Sequence, residues 1–290
     1  MYCSQLALSL SAEIREMEQS DTIHIDVRSA IEQKIPRYAK HIPQFVYRKI
    51  AKIIRQDTLN RILDENSGKT GVDFAEGALR SLQIGLDVEG EEHIPNEGRF
   101  IFVSNHPLGG LDGIALIALL GRRYGGNVKC IVNDILMAVK PLGENFLPIN
   151  KHGSQTRESA RLVEEAYKSD AQMITFPAGL CSRMNNRGEV RDREWKKSFV
   201  AKSVETGRDV IPIYFGGLNS DFFYKFAKFR ERTGLRLNIE MVCLPGEMVK
   251  KAGSSFSIRI GKPIPYSTFD NSRTYGEWAE YVKNIVYSLA

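Results

Sequence analysis

Cysteine is scarce and scattered: four of 290 residues, at Cys3, Cys130, Cys181 and Cys243, with no CxxC spacing. That pattern argues against a disulfide framework or a zinc site and makes a reducing compartment the expectation. Long apolar runs are also missing. Stretches such as residues 114–120 fall well short of the roughly 20 residues that span a bilayer, so any membrane contact is expected to be peripheral. No basic segment followed by an apolar run opens the chain, and no signal peptide is expected. Repeats and low-complexity segments are absent. Neither sign of charge dominates: 40 Lys and Arg stand against 35 Asp and Glu, for a net +5. No recognised nucleic-acid motif accompanies that small excess, and nucleic acid is not an expected partner.

The composition that remains is 42% hydrophobic and 26% charged, which excludes disordered, collagen-like and coiled-coil chains. The charge is unevenly placed. Between residues 34 and 61 stand Lys34, Arg37, Lys40, Arg48, Lys49, Lys52, Arg55 and Arg61, against Asp57 alone. This segment is +7, so the remainder of the chain is slightly acidic. It also carries Val46, Ile50, Ile53 and Ile54 at helical spacing, the composition of a helix lying on anionic lipid. Core packing with a solvated outer face gives the same pattern.

Residues 1–84 read as mostly helical, with a weak helix at 9–18, a longer one from Pro43 to about Asp64 and another over 72–82. From residue 85 the pattern changes to short apolar runs alternating with helices. Strands are expected at 86–88, 100–104, 128–132, 146–149, 172–176, 209–215, 237–244 and 256–260. Helices are expected between them and at 275–289. This alternation predicts an α/β fold over 85–290, with a mixed, largely parallel sheet flanked by helices and an N-terminal helical extension.

Chemistry concentrates in Val103-Ser104-Asn105-His106-Pro107-Leu108-Gly109-Gly110-Leu111-Asp112-Gly113, between a strand and a helix, where α/β folds place their sites. Asp112 at the helix start can be a simple cap. It can equally orient His106: imidazole takes up a proton near neutral pH, and a carboxylate on its other nitrogen fixes the tautomer. No nucleophile elbow of the GxSxG type is present, so such a pair would activate the substrate's own hydroxyl or amine.

With these residues the chain resembles the lysophosphatidic acid acyltransferase superfamily, the glycerolipid acyltransferases, whose hallmark is Asn-His-x4-Asp. Three further blocks follow in the family's order: Asn133-Asp134-Ile135-Leu136 through Lys140-Pro141-Leu142-Gly143 to Leu147-Pro148-Ile149, then Phe176-Pro177-Ala178-Gly179-Leu180-Cys181-Ser182-Arg183, then Val210-Ile211-Pro212-Ile213. Two departures stand out. Five residues, not four, separate His106 from Asp112, and Ala178 replaces the usual glutamate of the third block. Together with Asp192-Arg193-Glu194-Trp195 and Gly217-Leu218-Asn219-Ser220-Asp221-Phe222-Phe223-Tyr224, they resemble the hemolysin-labelled branch that includes the ornithine- and glycine-lipid N-acyltransferases.

The resemblance implies transfer of a 3-hydroxy fatty acyl chain from the phosphopantetheine thioester of acyl carrier protein to an amino-acid amine. His106 would be the general base and Asp112 its orienter, with no metal and no bound cofactor. It further implies Asn105, Gly109, Gly110, Pro177, Ala178, Gly179, Ser182 and Arg183 as substrate-binding residues. The Gly109-Gly110 turn and the 177–179 turn are the candidate oxyanion donors. Acylation of lysophosphatidic acid is the alternative, against which Ala178 counts; a non-catalytic membrane-binding protein is a third reading. Phe222, Phe223, Phe226, Lys225 and Lys228, with Lys49 and Lys52, are expected to touch the acyl chain or an anionic membrane, the basic surface also suiting acidic acyl carrier protein. The expected location is the cytoplasmic face of the cell membrane. Trp195 reads as packing, and His24, His41, His93 and His152 as surface or structural residues.

Overall fold

The computed structural model describes residues 24–34, 39, 41–133, 136–137, 139–149, 157–234 and 238–290; the weak helix expected over 9–18 lies outside them. The chain divides into two compact units, Met1–Gly68 and Lys69–Ala290.

In the first unit the described helices are α1 (Val27–Lys34), α2 (Gln44–Ile54) and α3 (Gln56–Glu65). The single helix expected from Pro43 to about Asp64 is broken at Arg55, whose φ of 59° is left-handed. One such residue ends the i to i−4 ladder and redirects the chain. Asn60 ties the unit together: its Oδ1 accepts the Ile25 N–H at 2.7 Å, and its Nδ2 donates to the Ile25 carbonyl at 3.0 Å.

The second unit begins ahead of residue 85, because α4 (Gly71–Ser81) packs against α5 (Gly110–Arg123). Its strands are β1 (Gly85–Glu89), β2 (Phe100–Ser104), β3 (Val128–Asn133), β4 (Phe146–Ile149), β5 (Gln172–Thr175), β6 (Arg183–Met184), β7 (Val190–Arg191), β8 (Asp209–Phe215) and β9 (Ser255–Ile260). Seven form one sheet in the order β1-β9-β8-β2-β5-β3-β4, while β6 and β7 make a separate hairpin. Every pairing in the seven-stranded sheet is parallel except β8 with β9. The expected mixed, largely parallel sheet is therefore present. The remaining helices are α6 (Arg157–Lys168), α7 (Ser198–Thr206), α8 (Asp221–Arg232), α9 (Leu244–Lys250) and α10 (Tyr275–Ser288).

β2 sits between β8 and β5 and is buried along its whole length. A continuous apolar run suits that place, since an interior parallel strand is covered on both faces. The buried Arg208 closes the opposite end of this region. Its guanidinium donates to the carbonyls of Tyr167 at 3.0 Å, Ala171 at 2.8 Å and Ser169 at 2.5 Å, and burial lowers its pKa to about 10.

One expected strand is corrected. Residues 239–243 form a 3-10 turn that leads into α9, and Leu237 lies outside the described residues. Pro245 in the first turn of α9 is preset for helix. The buried Glu240 and Glu247 need ionic and N–H partners that an apolar strand would not supply; Glu247 accepts the Ser220 N–H at 2.7 Å, the Ser220 hydroxyl at 2.8 Å and the Lys250 ammonium at 2.6 Å.

The helix that carries Asp112 is held at its other end by a close approach. A Cβ on Gly121 of α5 would stand 2.3 Å from Cγ2 of Val72 in α4. Gly121→Val is therefore expected to destabilise the fold by about 1–3 kcal/mol through overpacking, read as a lower midpoint in denaturant or thermal unfolding.

Candidate active site

The site grows from the carboxyl end of β2. Asn105 leaves the strand and pairs with the last residue of β8: its Nδ2 donates to the Phe215 carbonyl at 2.8 Å, and its Oδ1 accepts the Phe215 N–H at 2.7 Å. This reciprocal pair prolongs the β2–β8 ladder with a side chain and fixes where His106 emerges. Pro107 and Leu108 follow, and then Gly109 turns the chain with φ 77°. A Cβ at that position would lie 2.9 Å from Leu244 of α9, so glycine is required there for conformation and for space.

Asp112, in the first turn of α5, has no exposed side-chain surface. Its carboxylate accepts the N–H groups of Leu108 at 3.0 Å and Gly109 at 3.1 Å, and its Oδ2 lies 2.9 Å from His106 Nδ1. Burial pushes the Asp112 carboxyl above its usual range, against the pull of His106 and of the two N–H groups. The imidazole stacks on Phe176 at 4.2 Å between ring centres and is only partly exposed. With Nδ1 turned toward Asp112 at 2.9 Å, Nε2 is the nitrogen left for a reacting group. A base with a fixed tautomer, backed by a buried carboxylate and walled by an aromatic ring, can take a proton from a hydroxyl or amine.

Gly110 opens α5 beside this pair, and a Cβ placed on it would meet no atom within 4 Å. Across the turn, the Ser182 N–H donates to the His106 carbonyl at 2.8 Å, so the third block reaches the histidine. Gly179 has φ 65°, and its N–H closes a turn onto the Phe176 carbonyl at 2.8 Å. Pro177 accepts the Lys196 N–H at 3.0 Å. Ala178 is buried in the same apolar cluster as Trp195 and Phe199; a glutamate there would bring a carboxylate into a core.

Arg183 is buried, and both of its Nη atoms have protein acceptors. Nη1 donates to the Cys181 carbonyl and Nη2 to Glu240 Oε1, each at 2.6 Å. The guanidinium that the resemblance implies for substrate binding is thus engaged within the protein. Glu240 also lies 2.8 Å from Arg230 Nε of α8, and the Arg183 guanidinium sits 5.2 Å over the ring of Phe223. Phe223 is fully buried. Its expected place among lipid-facing residues is corrected, because one step around a helix carries it from the outer face to the inner one.

Phe222 and Phe229 remain outside, at 60% and 63% exposure. Phe226 is half-buried and stacks on Phe222 at 5.8 Å. Lys225 is exposed and lies 3.5 Å from Asp221; Lys228 is partly exposed. In the first unit Lys49 sits 5.8 Å over Phe45, and Phe45 and Ile53 are exposed. Two of the other histidines have partners: His24 Nε2 lies 2.7 Å from Asp64, and His93 Nδ1 lies 2.7 Å from the Ile260 carbonyl.

The family follows from comparison with known proteins. A family model described as "Acyltransferase" matches residues 29–290. The chain belongs to this acyltransferase family. As a member it is an acyl-transferring enzyme, in agreement with the resemblance read from its motifs. It is 49% identical over 265 residues to a Lyso-glycine lipid O-acyltransferase of Bacteroides thetaiotaomicron, covering 91% of this chain and 97% of that protein. It is 44% identical over 280 residues to a protein of the same name from Phocaeicola vulgatus, covering 97% and 100%. Among solved structures, the 1-acyl-sn-glycerophosphate (LPA) acyltransferase PlsC of Thermotoga maritima matches 96% of this chain and 97% of that one, at TM-score 0.45 and 17% identity. Among the described residues, no helix is long and apolar enough to cross a membrane, and no cluster of His, Cys, Asp and Glu is grouped to hold a metal.

The raised carboxyl of Asp112 has a consequence for stability. Folding penalises its ionised form. The penalty is absent below the unfolded value near ~3.9, grows as pH rises to the folded value, and is constant above it. Asp112→Asn removes that charge. The variant is expected to gain stability relative to wild type as pH rises through the carboxylate range, while its kcat falls about 10²–10⁴-fold because the imidazole loses its orienting carboxylate. Denaturant unfolding from pH 4 to 8 beside acyl-transfer assays checks both; an active Asp112→Asn enzyme would remove the pair from the mechanism.

Proposed function

We propose that this acyltransferase moves a fatty acyl chain from the phosphopantetheine thioester of acyl carrier protein to the hydroxyl of a lyso-glycine lipid. The observation that carries the acceptor in this reading is the 49% identity, over nearly the full length of both chains, to a relative named as a lyso-glycine lipid O-acyltransferase; the donor is carried over from the motif resemblance. His106 Nε2 takes the hydroxyl proton as the oxygen attacks the thioester carbonyl, while Asp112 stabilises the imidazolium. The C–O bond forms, the C–S bond breaks, and His106 returns the proton to the departing thiolate. N–H groups of the Gly109-Gly110 turn or the 177–179 turn are the candidates to receive the oxyanion.

A second reading keeps the same base and donor and exchanges the acceptor for an amino-acid amine, of glycine or ornithine. It is favoured by the resemblance of the third block, with Ala178 in place of glutamate, and of the Asp192-Arg193-Glu194-Trp195 block. Acylation of lysophosphatidic acid ranks below both, because of Ala178. Lipid mass spectrometry of a host without aminolipids, expressing this chain with and without added lyso-glycine lipid, separates the three. A two-chain, ester-linked glycine lipid that forms only when the lyso-lipid is supplied supports the proposal. A new N-acyl amino acid without it supports the second reading, and extra phosphatidic acid alone the third. His106→Ala is expected to abolish whichever product forms.

The same reading places the enzyme at the inner face of the cell membrane, with α8 as a contact. Phe222 and Phe229 would enter the acyl region, and Lys225 and Lys228 would meet anionic headgroups. Lys49 and Lys52 offer a second basic surface in the first unit. Phe222→Ser with Phe229→Ser is expected to lower binding to anionic phospholipid vesicles at least severalfold in co-sedimentation. Binding equal to wild type would remove α8 from the contact.

A further inference from the structure

A second carboxylate stands beside His106, and the acyl-transfer mechanism does not use it. Asp192 follows β7 and is buried. Its Oδ1 accepts the backbone N–H of His106 at 3.2 Å and the hydroxyl of Ser182 at 2.5 Å. Its Oδ2 accepts the indole N–H of Trp195 at 2.9 Å. Its own N–H donates to the Tyr287 hydroxyl of α10 at 2.7 Å. Ser182 completes the frame by donating its N–H to the His106 carbonyl. The peptide groups on both sides of the His106 Cα are therefore gripped by one connected set of bonds.

Three donors converge on Asp192: one from the distant turn after β2, 86 positions away, one from the loop after β5 and one from the approach to α7. A carboxylate accepts from all three at once because it is acceptor-only. An amide must turn its NH2 toward at least one of those donors, and alanine accepts from none. Bonds to a charged acceptor are about twice as strong as neutral ones. The choice of aspartate is thus explained by the His106 turn and not by solvent, from which it is hidden. Asp112 sets the rotation and tautomer of the imidazole; Asp192 sets where the backbone holds it.

We propose that Asp192 is the positioning residue of the site: it fixes the His106 backbone in register with the third block, so that Nε2 meets the acceptor in a reactive geometry. Displacement of a reacting group by about 1 Å costs on the order of 10²-fold in rate. A loss of this kind falls on kcat, because Asp192 is buried and bonded to protein groups. The inference rests on the reading of His106 as general base.

The test uses the purified full-length enzyme with acyl-acyl carrier protein and the acceptor that the wild type turns over. Asp192→Ala is expected to lower kcat by about 10²-fold while KM stays within about twofold. Asp192→Asn, which keeps an acceptor for part of the set, is expected to recover a clear fraction of that loss. Ser182→Ala, which leaves the N–H bond to the His106 carbonyl in place, is expected to cost less than either. Kcat is normalised to the folded fraction measured by unfolding.

Should Asp192→Ala fail to fold, the Asn and Ser182 variants decide. Wild-type kcat in both overturns the proposal, as does a loss confined to KM or one that vanishes on normalisation. His106→Ala separates the two ideas. If it keeps activity, the base reading fails; if it is inactive while Asp192→Ala is fully active, only the positioning role fails.

Discussion

The contact on which the site depends is the one between Asp112 and His106. It places a carboxylate with no exposed surface against an imidazole that still reaches solvent. A buried charge is unfavourable unless partners surround it, and here the partners are chosen twice over. The Leu108 and Gly109 N–H groups satisfy the carboxylate as the start of a helix requires, and His106 uses what remains. A capping residue and a catalytic orienter are usually opposed readings of an aspartate in this position. In this protein one carboxylate does both: it accepts the Leu108 and Gly109 N–H groups and stands 2.9 Å from His106 Nδ1, so the bonds that fix the turn also fix the contact.

The sheet supplies the second constraint. β2 lies between β8 and β5, so the turn that leaves it can be tied to neighbours on both sides. Asn105 binds the end of β8, and Ser182 reaches across from the loop after β5. The His106 turn is thereby held at several points along its backbone. A side chain mounted this way has little backbone freedom left to lose, which is what the proposed proton transfer at His106 demands.

Much of this was legible in the chain, because it rests on residue type at fixed spacing. The His106–Asp112 pair, the glycines of the turn and the change from helical to alternating pattern near residue 85 all carry local signals. Asp192 is legible only as part of the Asp192-Arg193-Glu194-Trp195 block that carries the resemblance. Its role lies in accepting a backbone N–H 86 positions away, and no side-chain pattern encodes such a bond. Arg183 shows the opposite difficulty. An arginine beside a site advertises an anion, yet its anion is Glu240, supplied by a 3-10 turn that read as a strand. Composition groups Phe223 with its neighbours, while the helix divides Phe222 from Phe223 by direction. Long-range polar pairing and helix phase account for these differences, and neither is local in sequence.

The five-residue separation of His106 and Asp112 tests the same logic at the finest scale. An extra residue in a tight turn ordinarily moves everything after it, and a carboxylate moved by one position on a helix swings through about 100°. Here three of the five intervening residues, Pro107, Leu108 and Gly109, precede the helix. Gly109 adopts a φ that L side chains rarely adopt, against Leu244, and α5 starts at Gly110 with Asp112 in its first turn. The carboxylate then points back along the turn, where Leu108, Gly109 and His106 all converge on it. A side chain at position 109 would meet both obstacles at once, positive φ and the Leu244 methyl groups. With five residues between them, this turn therefore still brings Asp112 Oδ2 to 2.9 Å from His106 Nδ1.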